Sequence, residues 1–124
     1  FGTDFSLNAL DPRLGLAAAT ARRSQAGEPR ESWHPEQRLT LAEAIRAYTL
    51  GSATAEGAEA RKGTLEPGKL ADVVVFARDL FALEPGALPA AELVATVVGG
   101  RVVYARWSCS ASGSLTMSID SLQE

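Results

Sequence analysis

The stretch that decides the fold runs from residue 62 to residue 76, KGTLEPGKLADVVVF. Its Pro67-Gly68 pair predicts a type II turn, because the third position of such a turn needs the positive φ that glycine adopts freely. The run DVVVF, residues 72–76, is β-branched and bounded by polar residues. Such a run predicts a strand that is buried on both faces.

A hairpin follows in LVATVVGGRVVYA, residues 93–105. Strands are predicted at about 93–98 and 101–105, closed by Gly99-Gly100, because a two-residue hairpin turn favours positive φ at both positions. Two or three strands make an incomplete sheet, since an isolated hairpin is only marginally stable in water. The remaining strands are therefore expected from elsewhere in a longer chain or from another copy.

Helices are predicted before the strands. Asp11 is placed to cap a helix over about 12–24, with Pro12 at its first position. The stretch LTLAEAIRAYTLGSA, residues 39–53, predicts a second helix that begins with a capping box of Thr40 and Glu43. Its apolar stripe follows helical spacing: Leu41, Ala44, Ile45 and Tyr48. The polar stretch between the helices, residues 26–38, is predicted to be a loop.

Composition bounds the class of protein. The chain has 124 residues, 46% apolar and 22% charged, with a net charge of −3, which fits one globular domain. No Lys/Arg stripe indicates a nucleic-acid partner, no apolar run is long enough for a membrane span, and no leader pattern is seen. A lone Cys109 cannot form an internal disulfide, so a cytoplasmic location is expected. With one histidine besides, the chain cannot supply a full set of transition-metal ligands.

The opening residues FGTD, 1–4, resemble the end of a strand whose carboxylate faces a mouth, followed by a loop and a helix. In a (β/α) barrel, catalytic groups lie at the carboxyl ends of strands. The chain is therefore expected to be the end of something larger.

Four stretches resemble, in order, the C-terminal part of the amidohydrolase superfamily in its YtcJ-like branch (amidohydrolase family 3). They are GTDFSLNALDPRLGLAAATAR, PEQRLTLAEAIRAYTLGSA, KGTLEPGKLADVVVFARDLF and VATVVGGRVVYAR, within residues 2–106. The fold class implied is an α/β fragment: the last strand and helices of a TIM-like (β/α)8 barrel over 1–60, and the C-terminal strands of a small composite β-sandwich over 61–106. Residues 107–124 match nothing in the family and are predicted to be an irregular, serine-rich tail.

The resemblance implies a metal-dependent hydrolase of carbon–nitrogen bonds in small amide-type substrates. Asp4 matches the family aspartate that lies beside the divalent metal, expected to be zinc, and shuttles the proton of the activated water. Asp4 is also a possible ligand, with the others outside this chain. The chain alone is expected to be inactive, to hold no metal stably, and to associate through exposed apolar faces or sheet edges. Neither the specific substrate nor its binding residues follow from the sequence.

The alternative is a non-catalytic α+β module for interaction or oligomerisation, whose sheet edges accept a partner strand. Other candidate residues are given structural roles. Asp11 is expected to be a helix cap, Asp72 to bind backbone groups in a turn, and His34 and Trp33 to be loop or packing residues that could contact substrate. Cys109 is not assigned as a nucleophile, because no base partner is implied.

Overall fold

The computed structural model describes residues 1–24 and 26–106 of the chain. They form a small α/β unit in which helices precede a three-stranded antiparallel sheet, as the order of patterns predicts. The predicted irregular tail at 107–124, with Cys109, lies outside the described residues. The elements are α1 (Pro12–Ala21), α2 (Leu41–Arg46), a π-helical turn (Ala47–Gly51), α3 (Ser52–Glu56), β1 (Val73–Phe76), β2 (Leu93–Val98) and β3 (Arg101–Ala105), with 3-10 helices at Pro35–Gln37, Leu80–Ala82 and Pro85–Ala90.

The predicted hairpin is confirmed at both strands and at the turn. Strands β2 and β3 pair with Val98 opposite Arg101, and the two turn residues have φ of 57° at Gly99 and 76° at Gly100. The register shifts between residues 96 and 97, which leaves Val103 as the extra residue of a bulge on β3. The sheet order is β1-β2-β3, so β1 and β3 are both edge strands.

The turn that leads into the sheet also has the predicted form. Gly68 has a φ of 90°, and the Lys69 N–H donates to the Glu66 carbonyl over 3.1 Å. Asp72 binds backbone, as predicted, because its Oδ1 accepts from the Gly99 N–H at 2.7 Å. This bond ties the start of β1 to the hairpin turn.

The prediction that the strand at 72–76 is buried on both faces is wrong for this chain. Val74 and Val75, which point to opposite faces, keep 52% and 42% of their surface exposed. The reason is that β1 is an edge strand, and the helices pack mainly on one another and on Pro85–Ala90 instead of forming a layer over the sheet. The β-branched sequence indicates a strand covered on both faces, and the described residues do not cover both faces.

Helix α1 begins where predicted but ends three residues early. Arg22 adopts a left-handed conformation with a φ of 54°, and its N–H donates to the Ala18 carbonyl at 2.8 Å. Helix α2 begins with the predicted capping box, in which Thr40 and Glu43 satisfy each other's backbone N–H groups. A π-helical turn, which the sequence pattern does not reveal, then separates α2 from α3.

The core is small and lies between the helices. Leu16, Ala44 and Leu88 form its buried cluster, and the predicted apolar stripe of α2 supplies its neighbours. Packed against the cluster are Leu39, Leu41, Ile45 and Tyr48, among others. Among the described residues, no helix is both long and apolar enough to cross a membrane.

Candidate functional site

Asp4, the predicted catalytic residue, lies on an exposed turn that leads to α1. Its backbone is left-handed, with a φ of 52°, and its carbonyl accepts from the N–H groups of Leu7 at 2.9 Å and Asn8 at 3.3 Å. Aspartate is one of the few residues other than glycine that enter this region readily. Within the described residues, its carboxylate has no hydrogen-bond partner and residues 1–4 belong to no strand.

The residues before Asp4 are attached to the helices by Phe1. The Phe1 nitrogen, which is the terminal ammonium of this chain, donates to the Ala47 carbonyl at 3.0 Å, and the Ser52 hydroxyl donates to the Phe1 carbonyl at 2.7 Å. The same hydroxyl is 3.2 Å from the Ala47 carbonyl. The Phe1 ring meets the Tyr48 ring edge to face, with 5.3 Å between centroids. We call this set of contacts the Phe1 clamp.

No sequence pattern indicates the contact that Ser52 makes. A serine inside a helix usually returns its hydroxyl to a carbonyl one turn earlier, so its presence predicts nothing about a distant segment. The partners Ser52 and Phe1 are 51 positions apart. Only the folded chain brings them together.

After the turn, Asp11 caps α1 as predicted, accepting from the Arg13 N–H at 3.0 Å. The Arg13 guanidinium also binds both carboxylate oxygens, with Nε 2.9 Å from Oδ1 and Nη2 2.6 Å from Oδ2. This side-chain hydrogen bonding from Arg13 lowers the pKa of Asp11 below its ordinary value. Arg13 Nη1 further donates to the Ala91 carbonyl at 2.6 Å, joining the start of α1 to the chain before β2.

An open groove of about 870 Å³ runs along α1 beside this turn. Gly2 and Thr3, directly before Asp4, line the groove together with Tyr48 and Glu84. Asp4 itself is not among the lining residues. The turn therefore borders the groove, while Asp4 itself does not line it.

His34 and Trp33 lie in the predicted loop and contact one another and their neighbours. His34 Nδ1 is 2.9 Å from Glu36 Oε1, and the two rings meet edge to face with 4.6 Å between centroids. Arg22 lies over the Trp33 ring at 4.7 Å, a cation–π contact. Both rings are exposed, and these contacts fit the predicted packing role.

The described residues do not by themselves fit a metal ion. Across residues 1–24 and 26–106, no group of three or more His, Cys, Asp or Glu side chains is placed to hold one. Asp4 offers a single carboxylate, and a bound divalent cation needs several more ligands. Any metal beside Asp4 therefore needs further ligands from outside these residues.

Comparison with known families decides where this unit belongs. A sequence model of the amidohydrolase family matches residues 1–104, from the first residue into β3. The chain belongs to the amidohydrolase family. The match includes the Asp4 turn, the Phe1 clamp and the sheet except for the last residue of β3.

Individual relatives agree with this assignment. The chain is 35% identical over 103 residues to a putative amidohydrolase, YtcJ, of Bacillus subtilis, covering 83% of this chain and 20% of that protein. It is 33% identical over 104 residues to the N-substituted formamide deformylase of Arthrobacter pascens, covering 84% of this chain and 19% of that protein. It is 29% identical over 106 residues to the protein LONG AFTER FAR-RED 3 of Arabidopsis thaliana, covering 83% and 17%.

The chain thus spans about a fifth of the length of these curated relatives. No solved structure is significantly similar to it.

Proposed function

We propose that the chain is the C-terminal part of a metal-dependent amidohydrolase that cleaves carbon–nitrogen bonds in small amide-type substrates. The observation that carries this proposal is the family match over residues 1–104. A relative named N-substituted formamide deformylase, 33% identical to this chain, favours a substrate of the amide class. The lone Cys109 favours a reducing compartment such as the cytoplasm.

Within this enzyme, Asp4 is the proton carrier. A carboxylate can accept a proton from the attacking water and return it to the leaving nitrogen, which makes the amine a better leaving group. Its exposure and its position next to the groove support this role, since its carboxylate is not engaged by any other described residue. A divalent metal, such as zinc, would supply Lewis-acid activation there, with most of its ligands outside this chain.

The proposed architecture has two parts. Residues 1–60 form the end of a TIM-like barrel, and residues 61–106 contribute strands to a composite β-sandwich. The exposed valines on both faces of the sheet support the second part, because a lone three-stranded sheet normally buries at least one face. In this architecture, the two faces of the sheet are covered by the part of the family's proteins that this chain does not span.

The test begins with the coding sequence upstream of residue 1. We expect a longer frame with a His-x-His pair near its start and further histidines later. In the enzyme expressed from that frame, Asp4→Asn is expected to lower kcat by about 10²–10⁴-fold, the usual contribution of a general acid or base. Asp11→Asn is the matched control, because it removes a carboxylate nearby while keeping a helix cap. Unchanged kcat in Asp4→Asn would remove the role given to Asp4.

The purified 124-residue chain is expected to have no hydrolase activity, because it cannot assemble the ligand set. Zinc-dependent turnover by this chain alone would contradict the proposal. The exposed apolar sheet also fits the interaction-module alternative. Size-exclusion chromatography with light scattering separates the two, since a monomer with cooperative melting would indicate a self-sufficient module.

A further inference from the structure

We infer that Ser52 is a positioning residue that fixes the Asp4 turn through the Phe1 clamp. Its functional consequence rests on the proposed role of Asp4, but the geometry does not. Ser52 does not touch Asp4 in this structure; it acts on the backbone three residues before it.

The first step is that Phe1 is held at both of its backbone polar groups. Its nitrogen donates to Ala47, and its carbonyl accepts from Ser52. Two bonds at one residue fix both the position and the rotation of the local backbone, whereas one bond leaves it free to pivot. Only Gly2 and Thr3 separate this doubly bonded residue from Asp4.

The second step is that the π-helical turn creates this arrangement. The turn spans Ala47–Gly51, so Ala47 is its first residue and Ser52, five positions later, directly follows it. The Ser52 hydroxyl is within 3.2 Å of the Ala47 carbonyl, and Phe1 binds to both residues. Single π-turns inside α-helices are rare, and many of those that occur lie at functional sites. A regular helix at this point would change the rotation between Ala47 and Ser52 and separate the two contacts.

The third step is that the far side of the turn is fixed independently. The Asp4 carbonyl accepts from Leu7 and Asn8, which closes the turn, and Asp11 begins α1. The turn is thus held at its exit by its own bonds and by the helix. Its entrance depends on the Phe1 clamp, and Ser52 is the side-chain hydrogen-bond donor in that clamp.

The experiment measures amide hydrogen exchange in the 124-residue chain. Ser52→Ala is expected to raise exchange about tenfold or more at Leu7 and Asn8, whose N–H groups bind the Asp4 carbonyl, and to leave the β2–β3 hairpin amides unchanged. The matched control is Thr54→Ala, which removes a hydroxyl bond of the same kind, from Thr54 to the Leu50 carbonyl at 2.8 Å, without touching Phe1.

Ser52→Thr keeps the hydroxyl and is expected to restore the slow exchange at Leu7 and Asn8. Equal exchange at these amides in the parent chain and in Ser52→Ala would overturn the inference. If Ser52→Ala fails to fold, Ser52→Cys keeps the size with a weaker donor and is expected to give intermediate exchange there. Exchange in Ser52→Cys equal to that of the parent chain would also overturn it.

A kinetic arm in the full-length enzyme separates this inference from the proposed function. Ser52→Ala is expected to lower kcat by about 10-fold or more with little change in KM, because misplacing a catalytic group affects the reaction step more than binding. If Asp4→Asn abolishes turnover while Ser52→Ala leaves kcat intact, the positioning inference fails and the proposed function stands. If Asp4→Asn has no effect while the exchange result holds, the role proposed for Asp4 fails and the clamp stands.

Discussion

The hydroxyl of Tyr48 occupies the space that a side chain on residue 15 would need. A β-carbon built on Gly15 would lie 1.9 Å from the Tyr48 oxygen and 2.9 Å from its Cζ. Glycine normally weakens a helix, and Gly15 lies in the middle of α1. The close approach of the Tyr48 ring, which also supports Phe1, explains why a residue without a side chain stands there.

Gly15→Ala is therefore expected to lower the free energy of unfolding. Overpacking of this kind costs about 1–3 kcal/mol, and the gain in helix propensity of at most about 1 kcal/mol offsets only part of it. Urea denaturation measures the difference. Gly86→Ala is the control, because a β-carbon there meets nothing within 4 Å.

A double variant identifies Tyr48 as the cause. In a Tyr48→Ala background the space is free, so Gly15→Ala is expected to become neutral or stabilising by up to about 1 kcal/mol. A cost that stays the same in both backgrounds would show that another contact opposes a side chain at residue 15.

The Asp11–Arg13 pair makes stability depend on pH. The pKa of Asp11 is lowered in the folded chain, chiefly by hydrogen bonding from Arg13, so the folded state favours the charged form. Its contribution is fully present above the aspartate pKa of the unfolded chain, about 3.9, and is lost as the pH falls through the lower folded value. Asp11→Asn keeps the helix cap but loses this dependence.

We therefore expect the parent chain to exceed Asp11→Asn in stability at pH 7, by about 1 kcal/mol or less for a pair this exposed. The two curves should converge as the pH falls below the ordinary aspartate range and Asp11 becomes protonated. Urea titrations of both chains between pH 2.5 and 7 measure this difference in stability. The other carboxylates are the same in both chains, so their effect cancels when the two are compared. A difference that does not change with pH would contradict the ion pair.

The β2–β3 turn offers a third prediction. Both of its residues have positive φ, and asparagine is favoured over glycine at the first position of such a turn. Gly99→Asn is expected to stabilise the chain by about 0.4–1 kcal/mol, mainly by restricting the unfolded state. Gly100→Val, in contrast, is expected to destabilise it, since a β-branched residue resists a φ of 76°. Thermal unfolding of the two variants checks both signs, and a lower Tm for Gly99→Asn would contradict the first.

These predictions rest on features that differ in how far the sequence reveals them. The Thr40–Glu43 capping box and the Gly99-Gly100 turn involve residues within a few positions, so local stereochemistry determines them and they were predicted. Burial of Val74 and Val75 depends on a second layer, which no local pattern reports, and that prediction was wrong for this chain.

In the candidate site, too, contacts between residues close in sequence were predicted and contacts between distant residues were not. The cap at Asp11 was predicted because its partner is two residues away. The bond between Ser52 and Phe1 joins positions 51 apart through a π-turn, and side-chain spacing cannot indicate either. Asp4 was predicted from the strand-like FGTD opening and from the family resemblance, and the described residues form no strand at positions 1–4. Its role stays a prediction until the variants are measured.

Self-association through the sheet is the last prediction. Val102 and Val103, on the edge strand β3, keep 51% and 61% of their surface exposed, and apolar edge strands pair readily with other chains. The isolated chain is therefore expected to associate as its concentration rises, which sedimentation velocity detects. Val103→Lys should shift this association to higher concentration, because a charge on an edge strand opposes pairing.

Ala55→Lys, on exposed α3, adds the same charge away from the sheet and is the matched control. If both variants reduce association equally, net charge and not the sheet is responsible. If neither does, the contact lies elsewhere on the chain. Only a selective effect of Val103→Lys identifies the edge of the sheet as the surface that another strand covers, whether from a second copy or from the rest of a longer enzyme.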